Sequence, residues 1–474
     1  HNSPRRQRQM CIRDSFTSLL LPLFAQESED EDEGLEVVVT TATKTEKDIL
    51  DTAQAVTALS GNQLLELGLN NIRDLNNMIP GLYVQNTDTN APIITLRGIR
   101  TENVTELGDP AVGIHVDGVY VARPQAANAL MFDLERTELT RGPQGTLYGR
   151  NSVVGTLNIV TAKPNFDIQG GSLNLEGGQL NQAGLRAHYN LPINEKLALR
   201  FAYMEQSKDS FLDGFWDGSQ LDWRRLPSNI SNQFQVITSP DQRSYISDYA
   251  WYLGCSTQPG NGCGQGNFSD PYNKIKADPS EFYTAINDSA WRISATYVID
   301  DNSDLNLQYE NYEDNGKGWT NVLSCELMKT RQGFTAKDRP VNTCTDILGS
   351  EDRYQSYANT PGFNKMTIDS FRAIYKKQLD ATTNLTVNYG YQELEQSSQF
   401  EIDGGVNYQY GMAFNINRLL TESNVLDAYI TGANEEWAWV GGVFSSTEDN
   451  DMLANFTAEL NGHDFFCLLY TSPS

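Results

Sequence analysis

Beyond Asn165 the chain settles into a single beat, with an apolar side chain at every second position and a polar or small one between. Leu185, Ala187, Tyr189 and Leu191 carry it, then Leu197, Leu199, Phe201 and Tyr203, then Trp291, Ile293, Ala295, Tyr297 and Ile299. Leu305, Leu307 and Tyr309 continue it, as do Leu385, Val387, Tyr389 and Tyr391, and finally Trp437, Trp439 and Val443. A period of two predicts strands with one apolar face. The links between them alternate in length. Those at 192–196, 300–304, 380–384 and 433–436 are tight turns, while about 209–290, 316–369 and 396–423 are long and polar. A soluble sandwich has no reason to alternate so strictly. A barrel threaded through a membrane does, with short turns on one side and long loops on the other. About ten strands are predicted between Gly170 and about Leu460. In lipid an open sheet edge leaves N–H and C=O groups unpaired, so these strands are expected to be the first part of a barrel.

Ahead of Asn165 the pattern is compact and mixed. Ser60–Gly68 and Asn71–Ile79 predict short helices, the second stopped by Pro80 and Gly81. Ile93–Arg97, Gly113–Val116 and Val119–Val121 predict strands, the last two joined by an Asp117–Gly118 hairpin turn. Together they make an α+β domain over 53–165. In front of it Glu27–Glu33 is a run of like charges, expected to be extended and disordered. Leu35, Glu36, Val37, Val38, Val39 and Thr40 then form a short β-prone segment standing alone. Ser18–Ala25 resembles the end of a secretory h-region, with cleavage after Ala25. Residues 1–15 and 467–474 match nothing beside them and are read as foreign. The expected division is therefore a signal-peptide remnant over 1–25, an acidic leader over 26–52, the α+β domain over 53–165, the barrel strands over 166–462 and a doubtful tail over 463–474.

The 39% hydrophobic content and mean hydropathy of −0.47 would suit a soluble protein. No stretch approaches the roughly 18 apolar residues of a membrane helix. A barrel strand, however, shows lipid only every second side chain. The 22 Tyr, 19 Phe and 37 Gly suit strands and turns. A net charge of −26 argues against nucleic acid, which is itself a polyanion. The acidity reads either as plain solubility or as a lumen that attracts cations and iron complexes. Cys255 and Cys263, then Cys325 and Cys344, form two close pairs inside long loops. An even count in an exported chain reads as disulfides, and a metal site lacks CxxC spacing and a nearby His. His115 and His188 are isolated, and no HExxH or GxSxG run is present, so no catalytic constellation, metal or cofactor is predicted.

The remaining motifs are glycine-rich. Leu139-Thr-Arg-Gly-Pro-Gln-Gly-Thr-Leu-Tyr-Gly-Arg150 would make a phosphate cradle only with P-loop spacing and a following Gly-Lys-Ser/Thr, and it has neither. The stretch from Leu139 to Pro164, with Ile94–Ile99 and Val116–Val121 upstream in the same order, resembles the plug signature of TonB-dependent outer-membrane receptors. Thr137 and Thr140 depart from it, standing where that family more often has aliphatic residues. The resemblance implies a mainly β protein of the Gram-negative outer membrane. An α+β plug, facing the periplasm, would fill an antiparallel barrel of which about ten of about 22 strands are present. It implies that Arg97 and Arg141 pair with wall carboxylates as a plug–barrel latch, or else are satisfied inside the plug. It makes Leu35–Thr40 a TonB box, a mobile strand that adds to a partner's sheet, or alternatively the plug's first strand. The implied activity is energised uptake, most often of a ferric siderophore, with cobalamin, haem or oligosaccharide as alternatives. The implied partners are the inner-membrane TonB complex, lipid and a small iron chelate, around a monomeric barrel. A passive porin or adhesin lacks plug and box. Tyr245, Tyr249, Trp251, Tyr252 and Trp319 would stack on a ligand or simply pack the loops.

Overall fold

The computed structural model describes residues 39–45, 47–49, 52, 54–69, 71–86, 92–101, 109–216, 275–318, 355–358, 362–401, 410–434, 437–460 and 463–471. The N-terminal domain begins with β1 (Val39–Thr40), paired antiparallel with β2 (Lys47–Asp48). Its main sheet takes β3 (Ala55–Ser60), β6 (Val112–Val116), β7 (Val119–Val121), β8 (Leu134–Arg141) and β9 (Gly155–Thr161) in the order β3-β8-β9-β6-β7. A separate hairpin joins β4 (Leu82–Asn86) to β5 (Pro92–Leu96). Asp117 and Gly118 both have positive φ, 51° and 82°, as a two-residue turn between β6 and β7 requires. Helix α1 (Gly61–Glu66) starts on a capping box in which Ser60 and Gln63 exchange side chain-to-backbone bonds. The expected helix over Asn71–Ile79 is instead a 3-10 helix over Ile72–Asn77, capped by Asn71 and Asp74. Its two buried residues, Ile72 and Leu75, stand three apart, the repeat of that tighter turn.

The second part is one antiparallel ladder of ten strands in chain order. They are β10 (Gly170–Gly177), β11 (Ala183–Asn194), β12 (Leu197–Lys208), β15 (Ile286–Asp300) and β16 (Ser303–Asp314), then β18 (Phe363–Gln378), β19 (Thr383–Glu401), β20 (Tyr410–Ala433), β21 (Ala438–Leu460) and β22 (His463–Thr471). Among the described residues β10 and β22 each have one ladder partner, and no helix is long and apolar enough to cross a membrane. The tight turns fall where the periodicity puts them. Two expectations change. The link expected over 396–423 is mostly strand, because β19 and β20 pair on through Glu401 and Ala413. The tail expected over 463–474 supplies the tenth ladder strand, β22. The three remaining strands, β13 (Asp213–Trp216), β14 (Ile275–Lys276) and β17 (Gln355–Ala358), form a small sheet at the long-loop end, ordered β14-β13-β17. It joins two different long loops, with β13 parallel to β17.

The ladder is polar on one face and apolar on the other. Ile293, Tyr297 and Tyr309 are exposed, while Arg292, Ser294, Asn306, Gln308 and Glu310 on the same two strands are buried; Phe201 and Tyr203 on β12 are exposed likewise. That is the reverse of a soluble sheet and the pattern of a wall with lipid outside. The N-terminal domain covers the polar face. Its core residues Leu64, Ile72, Leu75, Ile114, Leu139 and Ile159 belong to one buried cluster with wall residues Ala202, Met204, Ala290 and Leu394.

Candidate functional site: the domain–wall seam and the root of the leader

The seam is held by charges from both sides. Asp133, in the left-handed conformation (φ 50°) just ahead of β8, accepts from Arg200 Nε at 2.9 Å and lies 3.7 Å from His188 Nδ1. Arg292 reaches across from β15, donating to the carbonyls of Phe132 and Asp133 at 3.2 Å each, with its guanidinium 4.4 Å from the Phe132 ring centroid. Behind it Glu310 accepts from Arg292 Nε at 2.6 Å and Arg372 Nη2 at 3.2 Å. Gln308 Nε2 donates to Thr161 Oγ1 at 3.0 Å. Higher on the wall, Glu448 pairs with Arg123 and lies 3.9 Å from Arg150 Nη1. Buried pairs of this kind cost much to half-remove, because the remaining charge stays desolvated.

At the N-terminal edge the chain leaving β1 is bound on several sides. Glu138, 1% exposed in the middle of β8, accepts from Thr40 Oγ1 at 3.1 Å, the Thr41 N–H at 3.0 Å, Thr41 Oγ1 at 3.1 Å and Arg136 Nε at 2.7 Å. Asn158 Nδ2 donates to Thr41 Oγ1 at 3.2 Å, and the Tyr148 hydroxyl donates to the Thr41 carbonyl at 2.9 Å. Lys44, in the left-handed conformation (φ 61°), pairs with Asp427 of β20 at 2.7 Å and lies over the rings of Tyr148 and Tyr429. The Tyr148 carbonyl bonds His115 Nε2 at 3.1 Å. Burial, helped by the charge of Lys44, pushes the His115 pKa down to about 3. Burial also raises the Tyr148 hydroxyl, so the ring network is neutral at every physiological pH.

The sequence-derived site residues divide three ways. Val39 and Thr40 lie in β1, while Leu35, Glu36, Val37 and Val38 fall outside the described residues, as do Tyr245, Tyr249, Trp251, Tyr252, Trp319, Cys255, Cys263, Cys325 and Cys344. Arg97 is exposed at the turn after β5 with φ 52°, and Arg141 Nη2 donates to Thr57 Oγ1 at 3.1 Å inside the domain. Among the described residues neither forms an ion pair with the wall; Lys44, Arg123 and Asp133 do. Those three carry no local signal, since their partners Asp427, Glu448, Arg200 and His188 lie far along the chain. Glu138 had one: a lone carboxylate among Thr137, Leu139 and Thr140, all three of them buried.

Residues 48–156 match the family model described as TonB-dependent Receptor Plug Domain. The pesticin receptor of Yersinia pestis is 32% identical over 239 residues, which are 50% of this chain and 34% of that receptor. The ferrioxamine B receptor of Salmonella typhimurium is 31% identical over 214 residues, 42% of this chain and 29% of that receptor. Among solved structures, the ferripyoverdine receptor of the outer membrane of Pseudomonas aeruginosa aligns with a TM-score of 0.59 at 16% identity, over 92% of this chain and 49% of that one. The chain thus spans about a third of the length of the curated relatives it matches. Residues 48–156 thus carry a TonB-dependent receptor plug domain, seated on the polar face of a ladder that shares the fold of outer-membrane receptors.

Proposed function

We propose that the protein serves energised uptake of a ferric siderophore across the outer membrane. A TonB complex pulls the box at Leu35–Thr40, and the plug rearranges to open a path along the wall. One observation carries this reading: a plug domain sits against the polar inner face, and the segment that would be pulled joins it at a bonded root. The siderophore class follows the names of the relatives, a ferrioxamine B receptor and a ferripyoverdine receptor among them. The chain is read as a transport receptor and not as an enzyme, monomeric in lipid. We divide it into an acidic leader and box over 26–52, a plug over 53–165 and wall strands from 166 onward. Long-loop aromatics such as Tyr245, Tyr249, Trp251, Tyr252 and Trp319 remain candidate ligand contacts, and the pairs Cys255–Cys263 and Cys325–Cys344 candidate disulfides.

Deleting Glu36–Thr40 in the full-length protein tests it. Cells supplied in turn with ferric siderophores, cobalamin, haem or oligosaccharides should lose uptake of one ferric siderophore while keeping its surface binding. Uptake that survives the deletion sinks the energised mechanism, and uptake of another class alone sinks the siderophore reading.

A further inference from the structure

We infer that Glu138 is the residue that holds the root of the box down, so that its bonds to Thr40 and Thr41 set how readily the leader becomes available. The inference rests on reading Leu35–Thr40 as a TonB box. Glu138 is the only carboxylate in β8 whose side chain faces the root, and the network around it is closed. The Thr40 hydroxyl accepts from the Ala42 N–H at 3.2 Å and donates to Glu138. The Thr41 hydroxyl accepts from Asn158 and donates to Glu138. Arg136 balances the charge from the same strand. Both hydroxyl donors and the Thr41 N–H thus end on one buried oxygen pair, while the Thr41 carbonyl takes the Tyr148 hydroxyl.

The placement gives the carboxylate a mechanical meaning. Glu138 sits in β8, flanked by β3 and β9 in the plug's main sheet, with Glu138 opposite Ala58 on one side and Asn158 on the other. Tension arriving through β1 therefore meets the sheet at an interior strand. β1 itself contributes little resistance, because its pairing with β2 extends over only two residues on each side. Charge-assisted bonds from a buried acceptor are the stronger element. A root bound mainly by side chains can be released without unzipping β8 from its neighbours.

A buried reporter reads this directly. Ala42 is 1% exposed. In the full-length protein in outer membranes, Ala42→Cys should react slowly with a membrane-impermeant maleimide delivered to the periplasmic side, with labelling resolved by peptide mass. Adding Thr41→Val, which keeps the side-chain shape but removes both hydroxyl bonds, should speed labelling tenfold or more. Glu138→Gln should do the same or more. Thr43→Val, whose hydroxyl bonds only Thr45 among the described residues, should leave the rate unchanged. An unchanged rate in Thr41→Val, or equal acceleration by Thr43→Val, overturns the inference, even if Glu138→Gln folds too poorly to read. The assay uses neither TonB nor a ligand, so it fails independently of the uptake reading.

Discussion

His115 is a buried ring with one nitrogen bonded to the Tyr148 carbonyl and, among the described residues, no hydrogen-bond partner at Nδ1. Its pKa in the folded plug is about 3, whereas an unfolded chain binds the proton near the ordinary histidine value of about 6.5. The unfolded state therefore holds more protons between those limits. The share of plug stability that rests on neutral His115 is full above about pH 6.5 and is lost as pH falls toward 3. At pH 4.5 the loss should be about 2–3 kcal/mol, read as faster amide exchange over Val112–Val121 than at pH 7.5. His115→Gln offers the Tyr148 carbonyl an amide donor that does not titrate. It should flatten that acid slope, and a slope left intact would assign the sensitivity to some other group.

Among elements, β9 depends on a missing side chain. A Cβ on Gly155 would lie 2.3 Å from the Thr140 carbonyl oxygen and 2.6 Å from Leu96 Cδ2. Gly155→Ala should force β8 and β9 apart and destabilise the plug by about 1–3 kcal/mol, seen as a lower denaturant midpoint for plug exchange. Equal midpoints would mean the strands part at no cost. Elements of this kind were legible wherever a local rule is strict. The Asp117–Gly118 turn needs two positive φ values, and the outward apolar positions keep their period of two because lipid demands it. Gln396 and Ser398 show the opposite case. They are buried on the polar inner face of β19, so the segment lacks an apolar beat and reads as a loop. The 3-10 helix at Ile72 carries the same capping residues as an α-helix, so its cap does not tell the two apart.

At the scale of the whole molecule the seam escapes sequence reasoning altogether. Lys44 and Asp427 are 383 positions apart, and nothing near either announces the other. The family pattern pointed to Arg97 and Arg141, yet the wall is met by Lys44, Arg123 and Asp133. Asp133→Ala should expose the difference. It leaves the half-buried Arg200 without its carboxylate, costing about 1–3 kcal/mol. In the full-length protein, protease cleavage within the plug should then begin at lower urea while wall strands resist as before; an unshifted onset would show that other contacts hold the plug. At the opposite end, β13 lies between β14 and β17 and so ties two distant loops into one small sheet. An antibody or bacteriophage arriving from outside meets a composite epitope there. Short peptides from either loop should fail to compete for it, and an escape change in one strand is under selection to be answered by a change in the other.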